Sequence, residues 1–188
     1  MSAPPRRQAP PEPARTRTVH IVQGEYAISS DPDLMYTTIL GSCVAACLRD
    51  PIAGVGGMNH FLLPGDKDDR GDAMRYGVHS MELLINGLLQ RGAIKSRLEG
   101  KLFGGANVVH GLTDVGAQNA RFAVQFLQKE GIALLGDSLG GDRARRIRYW
   151  PVSGRAAQQF LAPTERQVFE AERRKEEAAP SSGSLELF

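Results

Sequence analysis

The feature that most constrains this chain is a pair of apolar segments joined by a strong turn signal. TTILGSCVAACLRD covers residues 37–50 and VGGMNHFLLP covers residues 55–64, with PIAG between them. Pro51 and Gly54 are typical of tight turns. Apolar segments on both sides of such a turn predict an antiparallel β-hairpin at the centre of the fold.

The hairpin makes a chemical prediction about one cysteine and one histidine. If the turn is centred between Pro51 and Ile52, Cys43 on the first strand lies opposite His60 on the second. Opposed residues have Cβ atoms about 4.5–5.5 Å apart, which permits a thiol–imidazole contact. A neighbouring imidazole activates a thiol as a nucleophile. The spacing therefore favours Cys43 as a nucleophile with His60 as its base.

Other interpretations of the same residues remain open at this point. Cysteine is among the most often buried residues, so Cys43 is also consistent with a purely structural role, as is Cys47. A third group is expected to orient the imidazole, and the candidates close in sequence are Thr37, Thr38, Asn59 and Ser42. Two cysteines separated by three residues, with no second pair, make a poor zinc site. No metal or other cofactor is predicted.

The remaining pattern predicts an α+β fold. An opening strand is expected in VHIVQGEYAIS, and apolar spacing predicts helices over residues 72–91 and 116–131. The order of elements favours an α+β or mixed α/β fold, with two principal helices on a mainly antiparallel sheet. We predict a disordered Pro- and Arg-rich tail at 1–17, a folded domain at 18–162, and a charged helix with a loose tail at 163–188.

Composition excludes several classes of function. The net charge of +2 is too small to indicate a nucleic-acid partner. No segment approaches the roughly 20 apolar residues that a membrane-spanning helix needs, and the N-terminus lacks the apolar core of a secretory signal. The expected location is therefore the cytoplasm, where thiols stay reduced.

These residues resemble the CheD family, the chemoreceptor glutamine deamidases of bacterial chemotaxis. The resemblance covers residues 18–160 and departs from the family's usual pattern at Gln118 and Ala144. The motifs that carry it are TTILGSCVAACLRDP, GVGGMNHFLLP, RYG at 75–77, RGA at 91–93, KLFGGANV at 101–108, VGAQN at 115–119 and GGDRARRI at 140–147. The fold it implies is similar to that of deamidating toxins of the cytotoxic necrotizing factor type, a mixed α/β sandwich of sheet and helices.

The resemblance implies a cysteine hydrolase that acts on receptor glutamines without a cofactor. Carried onto this chain, the nucleophile is Cys43, the base is His60, and the threonine that orients the base is Thr37, with Thr38 adjacent. The implied substrate is the cytoplasmic domain of methyl-accepting chemoreceptors, and the family often binds a CheC-type phosphatase. The residues alone leave two alternatives, which are a non-catalytic module that binds receptors or a phosphatase, and a thiol hydrolase for another amide or ester.

Overall fold

The computed structural model describes residues 16–63, 70–108 and 115–162, without the side chains of Arg70 and Asp72. The predicted N-terminal tail lies outside the described residues apart from residues 16 and 17. The predicted C-terminal helix and tail, from residue 163 onward, lie outside them entirely.

Within that range the strands form two sheets. The first has the order β1-β3-β8-β9, and its strands are Arg17–His20, Leu34–Leu40, Arg145–Tyr149 and Ala156–Phe160. The second has the order β2-β5-β4-β6-β7, and its strands are Tyr26–Ser29, Val55–Asn59, Val44–Asp50, Glu99–Gly104 and Ala133–Leu139. The β1–β3 and β6–β7 pairs are parallel, and the other pairs are antiparallel. The prediction of a mainly antiparallel α+β fold is confirmed.

Two α-helices complete the described fold, α1 at Arg70–Gln90 and α2 at Val115–Glu130, with a short 3₁₀ helix at Lys95–Arg97. Both α-helices agree with their predicted ranges to within two residues at each end. Each is followed by a glycine with positive φ, Gly92 at 91° and Gly131 at 68°. Glycine adopts this left-handed conformation without a steric penalty, which ends the helix cleanly.

Strand β4 is buried on both of its faces. One face contributes Val44, Ala46 and Leu48 to an apolar cluster that also contains residues of α1 and α2. The other face contributes Cys43 (just before the strand), Ala45 and Cys47 to a cluster shared with Tyr36, Ile147 and other residues of the first sheet. The second sheet therefore lies between the first sheet and the helices, and Cys43 faces the space between the two sheets.

The hairpin is present, but its predicted register was wrong by two residues. Cys47 pairs with Met58, and Val44 bridges Phe61 through two hydrogen bonds of 2.9 Å. By this register Ala45, and not Cys43, is opposite His60. The turn is centred one residue later than predicted, because it closes with Gly54 donating to the Asp50 carbonyl at 3.0 Å. A shift of two residues preserves the alternation of faces, so Cys43 and His60 still lie on the same face as diagonal neighbours.

The predicted opening strand is two strands in different sheets. Chain direction changes at a tight turn in which Glu25 donates to the Val22 carbonyl at 3.1 Å. Gly24 occupies the third position of this turn with φ of 88°, a position and conformation that favour glycine. The alternating apolar pattern continues across the turn, which is why the sequence alone indicated one strand.

A buried carboxylate fixes the hairpin turn to the segment after α1. Asp50 is fully buried, and its Oδ1 accepts hydrogen bonds from Ile52 and Ala53 at 2.9 and 3.0 Å. Its Oδ2 accepts from the Ile94 amide at 2.9 Å and pairs with Arg97 at 2.7 Å. Burial alone raises the pKa of Asp50, but these hydrogen bonds outweigh it and lower the pKa to about 2.

We expect Asp50→Asn to destabilise the fold by about 2–4 kcal/mol, because it leaves buried donors without their charged acceptor. The charged carboxylate stabilises the folded state fully above its ordinary pKa of 3.8, and this contribution is lost as the pH falls toward 2. Urea unfolding should therefore show a smaller difference between variant and unaltered protein at pH 3 than at pH 7. The exposed Asp137→Asn is the control, and an equal difference at both pH values would contradict the assignment.

Candidate active site

The backbone around Cys43 is held by the β6 end and by α2. The carbonyl of Gly41 accepts from Ala106 at 2.8 Å, that of Ser42 from Asn119 Nδ2 at 3.1 Å, and that of Cys43 from Gly105 at 2.7 Å. Three consecutive carbonyls are thus fixed on one side. In a planar trans peptide group, the N–H points opposite to the carbonyl that precedes it. The N–H groups of Ser42 and Cys43 therefore point away from Ala106 and Asn119, respectively.

Glycines allow this close approach. A Cβ on Gly104 would overlap the carbonyl oxygen of Cys43, and the residue has φ of 110°. A Cβ on Gly105 would lie 2.8 Å from the Gly116 carbonyl oxygen of α2. The glycine pair therefore does more than form a turn, because it lets the β6 end contact the backbone of the cysteine.

The Thr38 hydroxyl holds the imidazole of His60. Thr38 Oγ1 lies 2.7 Å from the Ile21 carbonyl oxygen and 2.9 Å from His60 Nδ1. A carbonyl can only accept, so the single hydroxyl proton is donated to Ile21. The hydroxyl oxygen must then accept a proton from Nδ1–H. The geometry thereby assigns the tautomer in which Nε2 carries the lone pair, which is the form that acts as a base.

Burial keeps this imidazole neutral. His60 is only 5% exposed. Its burial lowers the pKa to about 4, although the hydrogen bond with the Ile21 carbonyl and the charge of Glu25 act in the opposite direction. Nε2 is buried and makes no hydrogen bond to Cys43 or to any other described residue. The site thus contains an unprotonated nitrogen, available to accept a proton.

The Cys43 thiol is directed at a different partner. Its Sγ donates to the side-chain carbonyl oxygen Oε1 of Gln23 at 3.4 Å. Gln23 belongs to the turn between β1 and β2, and sequence reasoning did not identify it. A glutamine in an exposed turn carries no periodic or motif signal that would place it near a cysteine twenty positions further along the chain.

Thr37 does not contact His60. Its hydroxyl donates to the Ile147 carbonyl of β8 at 2.8 Å. Adjacent residues of a strand point to opposite faces, and Thr38 shares its face with Tyr36 and Leu40, which pack between the sheets. The structure therefore brings together Cys43, His60 and Thr38 on one side, while Thr37 faces the other side of β3.

Two asparagines complete the scaffold. Asn119 is fully buried. Its Oδ1 accepts from the Leu63 amide at 2.7 Å, and its Nδ2 donates to the Ser42 carbonyl. Asn59 Oδ1 accepts from the Ala46 amide at 3.0 Å, and its Nδ2 donates to Ser80 of α1 at 3.2 Å. Through these hydrogen bonds both side chains position the backbone on which the site is built.

Cys47 differs from Cys43 in its surroundings. It is 1% exposed, and burial raises the pKa of its thiol far above the ordinary value, an effect that the charge of Lys101 only partly offsets. Such a thiol is a poor nucleophile at neutral pH. In the described residues, no group of three or more His, Cys, Asp or Glu side chains is placed to hold a metal ion. No helix there is long and apolar enough to span a membrane.

Comparison with known proteins gives consistent results. The family model for CheD chemotactic sensory transduction matches residues 62–159. The probable chemoreceptor glutamine deamidase CheD of Rhizobium johnstonii is 58% identical over 177 residues, covering 92% of this chain and 96% of that protein. The protein of the same name from Agrobacterium fabrum is 57% identical, covering 93% and 98%, and that of a Caulobacter species is 55% identical, covering 90% and 92%.

Among solved structures, the hypothetical protein YfiH of Bacillus licheniformis is similar with a TM-score of 0.44 and 11% identity, over 66% of this chain and 60% of that one. The relatives named above match over nine-tenths of the chain at more than half identity, and the family model covers over half of it. The chain described here therefore belongs to the CheD family.

Proposed function

We propose that this chain is a protein-glutamine deamidase that converts glutamine side chains of chemoreceptors to glutamate in bacterial chemotaxis. The names of its relatives, which match along nearly their whole length, support this substrate class. The structural observation that carries the proposal is the tautomer of His60, whose unprotonated Nε2 lies on the same face as Cys43. A thiol and a correctly oriented base are the groups that amide hydrolysis by a thioester requires.

The reaction proceeds in two halves. Cys43 Sγ attacks the carboxamide carbon of the receptor glutamine while the thiol proton passes to His60 Nε2. The tetrahedral oxyanion collapses, the imidazolium returns the proton to the leaving nitrogen, and ammonia departs, which leaves a thioester on Cys43. Water then attacks the thioester carbonyl and gives its proton to Nε2. The second collapse releases glutamate and restores the thiol.

The neutral state of the resting pair determines when the proton moves. With a pKa of about 4, His60 is unprotonated at neutral pH, and the Cys43 thiol is a hydrogen-bond donor to Gln23. Proton transfer therefore accompanies the attack rather than preceding it as a stable thiolate–imidazolium pair. The N–H groups of Ser42 and Cys43, directed away from the β6–α2 side, are the proposed donors to the oxyanion.

The substrate domain, the location and a binding partner are proposed from the resemblance as well. The resemblance supports the cytoplasmic domain of methyl-accepting chemoreceptors as the substrate, the cytoplasm as the location, and a CheC-type phosphatase as a binding partner. Conversion of a neutral glutamine to a carboxylate adds a charge to the receptor helices and changes the repulsion between them.

Co-expression with a CheC-type phosphatase of the same organism, followed by purification of one protein, should recover both.

Deamidation should depend on Cys43 and not on Cys47. A purified receptor cytoplasmic fragment incubated with the unaltered protein should gain glutamate at specific glutamines, as seen by peptide mass spectrometry. Cys43→Ala should reduce the rate by about a thousand-fold or more, because it removes the nucleophile. Cys47→Ala is the matched control, since it removes the other buried thiol at a cost of about 1 kcal/mol in stability and should retain the activity.

Two other results of this assay would change the assignment. Rapid iodoacetamide labelling of Cys43 without conversion of any receptor glutamine would indicate a thiol hydrolase with another amide or ester as substrate. Full activity of Cys43→Ala would exclude the thioester mechanism altogether.

Thr38 is expected to be a positioning residue, and Thr37 is the matched control. Thr38→Val preserves shape but removes the closer acceptor of Nδ1–H and leaves only the Ile21 carbonyl oxygen at 3.4 Å, so the Nε2–H tautomer becomes more populated and less base is available. We expect kcat to fall about ten- to a hundred-fold, near the lower end of what a general base contributes, and Thr38→Ser to restore most of it. Thr37→Val should change kcat less than about three-fold, since its hydroxyl contacts β8.

The pH profile tests whether His60 is the base. In the unaltered protein the acid limb of kcat/KM should lie near pH 4, where His60 is protonated, and not near the ordinary histidine pKa of 6.5.

A larger loss of kcat for Thr37→Val than for Thr38→Val, with both proteins folded by circular dichroism, would reverse the assignment of the two threonines.

A further inference from the structure

One group that contacts Cys43 in this structure is itself a glutamine carboxamide. Gln23 Oε1 accepts the hydrogen bond of Cys43 Sγ at 3.4 Å. Under the proposed function, the substrate presents the same functional group to the same sulfur atom. The contact therefore marks a place beside Cys43 where a primary carboxamide fits and is hydrogen-bonded.

The backbone holds Gln23 in this place independently of its side chain. Gln23 is the second residue of the tight turn closed by Val22 and Glu25, and Gly24 supplies the positive φ that the third position needs. The turn is also fixed to the base, because Gly24 donates to the His60 carbonyl at 2.8 Å and the His60 amide donates to Glu25 at 3.0 Å. A change confined to the Gln23 side chain should leave the turn and His60 in position.

The hydrogen bond to Gln23 also determines the state of the catalytic pair. A thiol has one proton, and it is directed at Gln23 Oε1, while His60 Nε2 has no partner among the described residues. Attack on a substrate requires that proton to move to Nε2. The contact with Gln23 must therefore break before the reaction begins.

We propose that the position of the Gln23 carboxamide is the subsite for the substrate carboxamide, and that Gln23 competes with the substrate for it from within the chain. The inference rests on the proposed function for the identity of the substrate. Gln23 is exposed at the surface, so its side chain can rotate outward and vacate the subsite without movement of the backbone. Receptor glutamine then takes its place against Sγ.

The geometry also explains why Gln23 is not consumed. A hydrogen bond to a carbonyl oxygen places the donor near the plane of the amide group. A nucleophile must instead approach the carbonyl carbon from above that plane. Gln23 meets Sγ through its carbonyl oxygen and is tethered by the turn, whereas a substrate glutamine in the same subsite is free to present its carbonyl carbon to Sγ. Peptide mass spectrometry of the purified protein should therefore find residue 23 as glutamine.

The test compares Gln23→Ala with Val22→Ala, which removes an exposed side chain from the adjacent position of the same turn. Both the alkylation rate of Cys43 and the apparent affinity for substrate scale with the fraction of molecules in which the subsite is vacant. Gln23→Ala should raise the rate of iodoacetamide labelling of Cys43 by about three-fold or more, and should lower KM for the receptor fragment by the same factor with kcat unchanged. Val22→Ala should change neither quantity.

The outcomes distinguish this inference from the function on which it rests. Unchanged labelling in Gln23→Ala, together with Cys43-dependent deamidation, would overturn the competition and leave the function in place. Faster labelling without deamidation of any receptor would support the contact at the thiol and remove the proposed function. A fall in kcat in Gln23→Ala would make Gln23 a contributor to the transition state. Cys43-dependent conversion of residue 23 to glutamate would make it a substrate. Either result overturns the proposal.

Discussion

One hydroxyl proton determines the chemistry of the site. Thr38 Oγ1 lies between an obligate acceptor, the Ile21 carbonyl, and His60 Nδ1. The proton must go to the carbonyl, so the imidazole must donate to the hydroxyl, and the lone pair must be on Nε2. Three segments that are distant in sequence meet at this atom: the residue after β1, the middle of β3 and the residue after β5. The base is therefore oriented by the packing of the two sheets against each other.

The burial that orients His60 also restrains the cysteine. In the proposed mechanism a neutral imidazole leaves Cys43 less nucleophilic than a thiolate stabilised by an imidazolium would be. Proton transfer becomes favourable only when the sulfur begins to form a bond to carbon. A site of this kind has low reactivity toward incidental electrophiles and depends on correct placement of the substrate. Burial lowers the pKa of His60, and under the proposed function the same burial favours a correctly placed substrate over other electrophiles.

The sequence predicted the parts of this structure that depend on local pattern. Apolar spacing identified α1, and the turn signal identified the hairpin. The structure places Cys43 and His60 on one face of it, and their catalytic roles stay a prediction. The register was wrong by two residues because local sequence does not distinguish a turn centred at 51–52 from one centred at 52–53. The choice between Thr37 and Thr38 depends on which face of β3 meets the second sheet, and Gln23 depends on how the first turn packs. Both are tertiary facts without a local signal.

The contact between Gln23 and Cys43 links substrate recognition to activation of the site. A carboxamide oxygen that accepts the thiol proton can be displaced only by a ligand that offers a comparable acceptor at the same place, since otherwise the exchange loses a hydrogen bond. An apolar side chain gains nothing by entering, and a carboxylate product places a negative charge beside the sulfur. A competitor with the same functional group as the substrate therefore disfavours both non-substrates and the product, whereas a simple apolar lid would exclude only water.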